Sequence, residues 1–118
     1  MEFFTSTTVT VEEGKAAILT CPGFVPNPEQ ERYAIFNWFK ASQSNTSGQL
    51  RVAFHDKTVG AQNSMGDLSG RATIDGTTGA LEIPQTRVSD DHVYTCDFTN
   101  TASGDIQNET QLVITGKS

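Results

Sequence analysis

The chain has 118 residues and a mass of 12.8 kDa, which fits one domain with an ordinary hydrophobic core and leaves little room for a second. Its formal net charge is −6, from 8 Lys+Arg against 14 Asp+Glu, and its cations are not clustered. A phosphate-binding surface needs clustered cations, so nucleic acid and anionic membrane are poor partners. No run of 18 apolar residues is present, so the sequence predicts no membrane-spanning helix.

The start of the chain shows no secretory signal. Residues 1–4 lack the basic start and the long apolar stretch of a secretory leader. We expect residues 1–4 to be a cloning remnant or N-terminal tail, residues 5–116 to form a single domain, and residues 117–118 to begin a linker.

Strand signals recur along the chain, whereas no window of 12 or more residues keeps the helical spacing of apolar positions. The predicted strands in chain order are 8–11, 16–21, 33–40, 49–54, 71–75, 79–83, 92–99 and about 107–115, with at most a short edge strand within 55–69. Residues 22–32, 41–48 and 100–105 predict loops or turns. Eight or nine short strands predict an all-β sandwich or barrel, and local patterning leaves that choice open.

Two local patterns add detail to this list. Leu50, Val52 and Phe54 alternate along one predicted strand and so predict a shared face. Asp75-Gly76 lies between two strand-like runs and predicts a hairpin turn.

One set of residues narrows the choice of architecture. Cys21 and Cys96 lie 75 positions apart in strand-like runs, Trp38 follows the first cysteine by 17 residues, and Tyr94 precedes the second by two. This set resembles the V-set of the immunoglobulin superfamily, and the similarity covers nearly the whole chain. The long separation of the cysteines and an extra strand pair within 49–69 favour the V-set over the shorter sets.

The resemblance implies a two-sheet antiparallel Greek-key sandwich, a V-type immunoglobulin fold with about nine strands. It also implies a disulfide between Cys21 and Cys96, a Tyr94 hydroxyl that ties the corner before its strand, and a cation, Arg71, that reaches Asp90. Two unpaired buried thiols in a cytosolic protein are the alternative for the cysteines. The disulfide implies an extracellular protein, either displayed at the cell surface or secreted.

The sequence departs from the family pattern at two places. His92 stands where the signature Asp-x-Gly-x-Tyr-x-Cys usually has a small residue, and the last strand lacks a Phe-Gly-x-Gly bulge. That bulge shapes the pairing surface of antibody and T-cell-receptor variable domains. Its absence favours a fixed receptor, such as a nectin-like or butyrophilin-like molecule, over a rearranging antigen receptor.

Catalytic motifs are missing from the sequence. Neither His55 nor His92 has ligands at zinc spacing, and for His92 strand parity predicts a packing role beside Tyr94. The chain also lacks a Gly-x-Ser-x-Gly turn, a phosphate-cradling glycine loop and a calcium loop. We therefore expect a protein that is not an enzyme and has no metal and no cofactor.

Strand parity predicts a partner-binding face. Because Trp38, Tyr94 and Cys96 point inward, the alternate positions on the same sheet point outward. The expected face comprises Ile35, Asn37, Phe39, Thr95, Asp97 and Val113. Adjacent apolar residues on a surface usually mark a contact, although long loops or a neighbouring domain could cover them instead.

Loops and glycans give further candidates. The loop candidates for ligand binding are Phe24 and Val25, together with Asp105 and Ile106 in the turn before the last strand; Phe24 or Val25 could instead plug the end of the sandwich. Asn45-Thr46-Ser47 and Asn108-Glu109-Thr110 fit the acceptor pattern for N-glycosylation.

The leading hypothesis from the sequence is a recognition or adhesion module of an immune-type or cell-surface receptor. It would bind another immunoglobulin-like domain, its own kind included, through the outer face of the sheet that carries Trp38 and Cys96. The alternative is a secreted immune-type effector that binds carbohydrate or microbial ligands through its loops, and a third reading is a structural spacer. All of them imply no nucleic acid and no membrane contact by this domain.

Overall fold

The computed structural model describes residues 7–21, 35–41, 49–56, 59–76, 78–100 and 104–116. Several expectations fall outside these residues: the tail at 1–4, the loop residues Phe24 and Val25, the sequon at Asn45 and the linker at 117–118. Within the described ranges, the side chains at 49, 98–100 and 104–108 are not described.

Nine strands form in the described residues: β1 Thr7–Glu12, β2 Ala17–Leu19, β3 Ile35–Ala41, β4 Gln49–Asp56, β5 Ala61–Ser64, β6 Thr73–Ile74, β7 Leu81–Ile83, β8 His92–Asn100 and β9 Gly104–Thr115. Two single-turn 3-10 helices, Gly66–Leu68 and Val88–Asp90, lie in the connections. One sheet has the order β1-β9-β8-β3-β4-β5 and the other β2-β7-β6. The expected two-sheet sandwich is confirmed; β1 pairs parallel to β9, whereas the other described pairs are antiparallel.

The core lies between the two sheets and is built around a disulfide. Cys21 and Cys96 are bonded, with their Cα atoms 5.5 Å apart, so the expected pairing is confirmed. Trp38 is fully buried beside them and donates from Nε1 to the carbonyl oxygen of Gly79 at 2.8 Å. The indole N–H thus has the partner that a buried polar group requires, and it joins β3 to the opposite sheet.

A β-bulge in β4 changes which of its side chains face the core. Trp38 pairs with Ala53, but the next residue of β3, Phe39, pairs with Arg51, so Val52 is the extra residue. Val52 and Ala53 are both buried, Leu50 is 62% exposed, and Phe54 is only partly buried. The predicted shared face of Leu50, Val52 and Phe54 is therefore wrong, because the bulge reverses the alternation after Val52.

The corner before β8 is closed by a buried ion pair. Arg71 donates to both carboxylate oxygens of Asp90, at 3.1 and 2.7 Å, and Asp90 is fully buried. The same carboxylate accepts from the backbone N–H of Arg87 at 2.8 Å, and the Tyr94 hydroxyl donates to the Asp90 carbonyl oxygen at 2.8 Å. The hydrogen bond to Asp90 raises the pKa of Arg71. The corner thus has the pairing and the tyrosine contact that the resemblance implies.

A second cation supports the corner from β3. Lys40 is 6% exposed and donates from Nζ to Asp67 Oδ2 and to the Ser89 carbonyl oxygen, both at 3.0 Å. The hydrogen bond from Lys40 lowers the pKa of Asp67. These contacts connect β3 to both 3-10 helices, so the end of the sandwich is held by polar bonds as well as by apolar packing.

The smaller sheet is joined to the larger one at its edge. The predicted hairpin around Asp75-Gly76 is confirmed, since β6 and β7 pair antiparallel. The residue in the left-handed region is Gly79, with φ of 77°, and not Gly76. At the free edge of β6, the N–H of Ile74 donates to Oε1 of Gln62 on β5 at 3.3 Å.

We expect Gly79→Ala to destabilise the domain by about 2–4 kcal/mol, measured by urea denaturation. The alanine would have to keep the positive φ of this position, which costs conformational free energy, and its methyl group would overlap the ring of Phe36. The substitution therefore adds an overpacking cost to the cost of the backbone conformation. Gly60→Ala is the matched control, because Gly60 also has a positive φ but has open space around it. Equal losses in the two variants would show that the contact with Phe36 contributes nothing.

Arg71→Ala leaves the buried Asp90 carboxylate without its cation and should lower the free energy of unfolding by about 3–5 kcal/mol. Arg87→Ala removes an exposed guanidinium but keeps the backbone N–H that binds Asp90, and we expect a change below about 0.5 kcal/mol. Chemical denaturation of both variants provides the comparison. A loss at Arg71 as small as that at Arg87 would contradict a structural role for the ion pair.

The corner also predicts a loss of stability at alkaline pH. Burial, reinforced by the Asp90 carboxylate, raises the pKa of Tyr94 above its ordinary value of 10.0. As the pH rises, Tyr94 therefore loses its proton in the unfolded chain before it does so in the folded protein. Its contribution to the free energy of unfolding is complete below about pH 10 and is lost as the pH rises further. Tyr94→Phe should reduce this alkaline loss, measured as the difference in unfolding free energy between pH 8 and pH 11. An unchanged difference would show that another group causes it.

Candidate protein-binding face

The outer face is the side of the six-stranded sheet that points away from β2, β7 and β6. Register fixes its members: Asn37 pairs with Asp97 and with Phe54, while Phe39 pairs with Thr95 and with Arg51. All of these positions alternate with the buried Trp38 and Cys96. The face therefore contains the residues expected from strand parity, and it also contains two on β4, Arg51 and Phe54, that the sequence did not indicate.

Four apolar side chains of the outer face follow one diagonal across four strands, and a fifth lies beside the β4 end of this diagonal. Each is a diagonal neighbour of the next in the register of the sheet, at the spacing of about 7–8 Å over which large side chains touch. We call the set the apolar diagonal; Phe54, Phe39, Val93 and Val113 lie along it from β4 to β9, and Ile35 lies on β3 next to Phe54. Every member is partly buried. Phe54 and Val93 thus connect the three apolar residues that the sequence predicted separately.

Arg51 is held in place on β4, beside Phe39 of the outer face. Its guanidinium lies 5.1 Å from the centroid of the Phe54 ring and donates to Oδ1 of Asn37 at 3.3 Å. The bulge puts Arg51 and Phe54 on the same side although they are three positions apart. An exposed cation fixed over an aromatic ring loses less rotamer freedom on binding than a free one does.

The flank of the face on β8 and β9 is acidic and polar. Asp97 is partly buried and Glu109 is exposed, and both alternate outward. Thr95 lies on the face as expected but is only 5% exposed, since its neighbours cover it. The cation Arg51 therefore lies on one side of the apolar diagonal, and the carboxylates of Asp97 and Glu109 lie on the other side.

The assignment of Asp105 and Ile106 to a loop is wrong. Their backbones lie inside β9 and pair with Thr99 and Phe98, because the ladder between β8 and β9 continues to Asn100 and Gly104. Asn108 also lies within β9, where it is the register partner of Cys96. Occupation of the two sequons stays a prediction.

The histidines do not form a catalytic site. His55 packs against Gly76 of the β6–β7 turn, and His92 accepts from the N–H of Val93 through Nδ1. Among the described residues no group of three or more His, Cys, Asp or Glu is placed to hold a metal ion, and no helix is long and apolar enough to cross a membrane.

A groove of about 760 Å³ lies at the corner end of the sandwich. Its lining includes Arg71, Thr86 and Arg87. Arg71 is engaged by Asp90, and Thr86 donates to the carbonyl oxygen of Lys15. Since Arg71 and Thr86 are engaged within the fold, the groove offers fewer side chains for recognition than the outer face does.

Comparison with known proteins agrees with this geometry. Residues 4–115 match the family described as Immunoglobulin V-set domain. The first immunoglobulin-like domain of human CD48 antigen is similar in structure, with a TM-score of 0.77, 17% identity, and coverage of 100% of this chain and 88% of that chain. No curated protein sequence matches the chain.

Two further solved structures show the same fold. Human T-cell immunoglobulin and mucin domain protein 1 has a TM-score of 0.68 and 22% identity, with 94% of this chain and 99% of that chain covered. The extracellular domain of the voltage-gated sodium channel beta4 subunit, which forms parallel homodimers, has a TM-score of 0.67 and 15% identity, with 100% and 98% covered. V-set domains are non-enzymatic binding modules, and those with the disulfide are typically extracellular. With its sheet order, its Cys21–Cys96 bond and the match over residues 4–115, the chain belongs to the immunoglobulin V-set family.

Proposed function

We propose that this chain is the extracellular recognition module of a cell-surface or secreted receptor, and that it binds another immunoglobulin-like domain through the outer face. The observation that carries the proposal is the apolar diagonal, with Phe39 at its centre. Five apolar residues are continuous through the register of β4, β3, β8 and β9, and polar and charged residues lie on both sides.

The composition of this face is that of a protein contact. Interfaces of this kind have an apolar centre with aromatic anchors and a polar rim, and a few central residues carry most of the binding energy. Phe39 and Phe54 provide the aromatic anchors, and Arg51 provides a fixed charge beside them. The flat shape of a sheet suits another flat protein surface better than it suits a small ligand, which needs a concave site.

The relatives support the same class of function. Similar solved structures include a domain of human CD48 antigen, and the extracellular domains of the sodium channel beta4 subunit form homodimers with a role in cell–cell adhesion. The disulfide between Cys21 and Cys96 is a bond that persists in oxidising compartments, which supports an extracellular location.

The test uses the disulfide-intact domain displayed on beads. Bead clustering reports binding of the domain to itself, and capture of purified immunoglobulin-domain ectodomains reports binding to other proteins. Phe39→Glu should weaken whichever interaction is found by about 30-fold or more, because it places a charge in the centre of the contact.

Ile18→Glu is the matched control. Ile18 is 55% exposed on the outside of the smaller sheet, in register with Glu82, so the substitution adds the same charge on the opposite surface and should leave binding unchanged. Thermal unfolding shows that both variants are folded. Binding of glycans or proteins that tolerates Phe39→Glu would contradict the proposal and would favour recognition through loops.

A further inference from the structure

We propose that the partner of the outer face is a second copy of this chain, related by a two-fold axis that runs parallel to the strands. The inference rests on the proposed function and adds the identity and the orientation of the partner. It is carried by one cross-strand row of the sheet, which has a cation at one end and a carboxylate at the other.

That row crosses four adjacent strands in the order Arg51, Phe39, Thr95, Glu109. Phe39 pairs with Arg51 on one side and with Thr95 on the other, and Thr95 pairs with Glu109. Both charged ends are exposed. Adjacent strands lie about 4.8 Å apart, so the two charges are attached to backbones roughly 14 Å apart.

A two-fold axis along the strands, between β3 and β8, reverses this row on the second copy. Arg51 of each copy then lies opposite Glu109 of the other, and Phe39 lies opposite Thr95. Because a two-fold contact is made twice, the dimer contains two such ion pairs on either side of the aromatic centre. The neighbouring row agrees, since the same reversal puts the amide of Asn37 opposite the carboxylate of Asp97.

A two-fold axis across the strands gives a different result. Each strand then faces the same strand of the other copy, so Arg51 cannot meet the carboxylate on β9. The outward carboxylate that β4 itself offers is Asp56, which pairs with Ile35 across the sheet. The two arrangements therefore differ in whether Arg51 meets Glu109 or Asp56.

The net charge of −6 opposes the approach of two copies. At physiological ionic strength this repulsion is screened beyond about 8 Å, whereas ion pairs formed within a contact are screened much less. We therefore expect the dimer to be weaker at very low salt, and the two Arg51–Glu109 pairs to determine which surfaces meet.

Sedimentation velocity of charge-reversed variants tests the proposal. The parent domain should dimerise, and Arg51→Glu or Glu109→Arg alone should raise the dimer dissociation constant at least tenfold. An equimolar mixture of the two variants should dimerise again, because both contacts of the mixed dimer then join opposite charges: one is the native pair and the other is an ion pair of reversed polarity. A mixture of Arg51→Glu with Asp56→Arg is the matched control. Asp56→Arg keeps both Arg51–Glu109 pairs and should dimerise by itself, but its addition should not restore the dimerisation of Arg51→Glu to the level that Glu109→Arg gives.

Three results would overturn the inference. A parent that stays monomeric at millimolar concentration excludes a second copy as the partner; the proposed function is then decided separately by ectodomain capture and its loss in Phe39→Glu. A dimer that tolerates both single reversals excludes the Arg51–Glu109 contact. Rescue of Arg51→Glu by Asp56→Arg, and not by Glu109→Arg, shows that the axis runs across the strands.

Discussion

The bond between Cys21 and Cys96 determines which side of each strand faces the core. It joins β8 to the end of β2 in the other sheet, and closing a loop of 75 residues stabilises the fold by about 4 kcal/mol in the chain-entropy model. With Cys96 fixed inward, Thr95 and Asp97 must lie outward. The register then carries the same assignment to β3 and β9. A slip by one residue would exchange the core and the outer face, so the covalent bond protects both assignments.

The stabilising polar contacts and the candidate binding residues are separated in the molecule. Arg71 and Asp90 form their ion pair at the end of the sandwich, with the carboxylate fully buried. Phe39 and Arg51 lie on the outer face, where their neighbours are other side chains of the same surface. Changes of the outer residues can therefore alter the partner at little cost in stability, which is how one fold serves many recognition functions.

Much of this arrangement could be predicted from the sequence, and the failures have a common cause. Inward parity at Trp38 and Cys96 was sufficient to place Ile35, Asn37 and Phe39, since β3 keeps a regular alternation. Phe54 was missed because its face depends on how β4 aligns with β3. The sequence of β4 itself alternates with no break, so nothing local indicates the extra residue at Val52.

The error at Asp105 and Ile106 has the same origin. Polar residues and Gly104 predict a turn, but the length of a hairpin ladder depends on how far two strands continue to pair. Both errors concern how two strands pair with each other: their alignment in the case of Phe54, and the length of their ladder in the case of Asp105 and Ile106. The correct predictions concern residues such as the cysteines and the tryptophan, whose residue type and spacing indicate a buried position without knowledge of how the strands align.

The hydrogen bond between Gln62 and Ile74 has a consequence for how the protein behaves at high concentration. Edge strands with unpaired amide groups are templates on which other chains can polymerise into extended sheets. Here the N–H of Ile74 at the free edge of β6 is already engaged by Oε1 of Gln62, a side chain of the same molecule. A foreign strand would have to displace that side chain before it could pair at this position. The Gln62 side chain therefore opposes the growth of fibrils from this edge of the smaller sheet, on the side of the molecule away from the outer face.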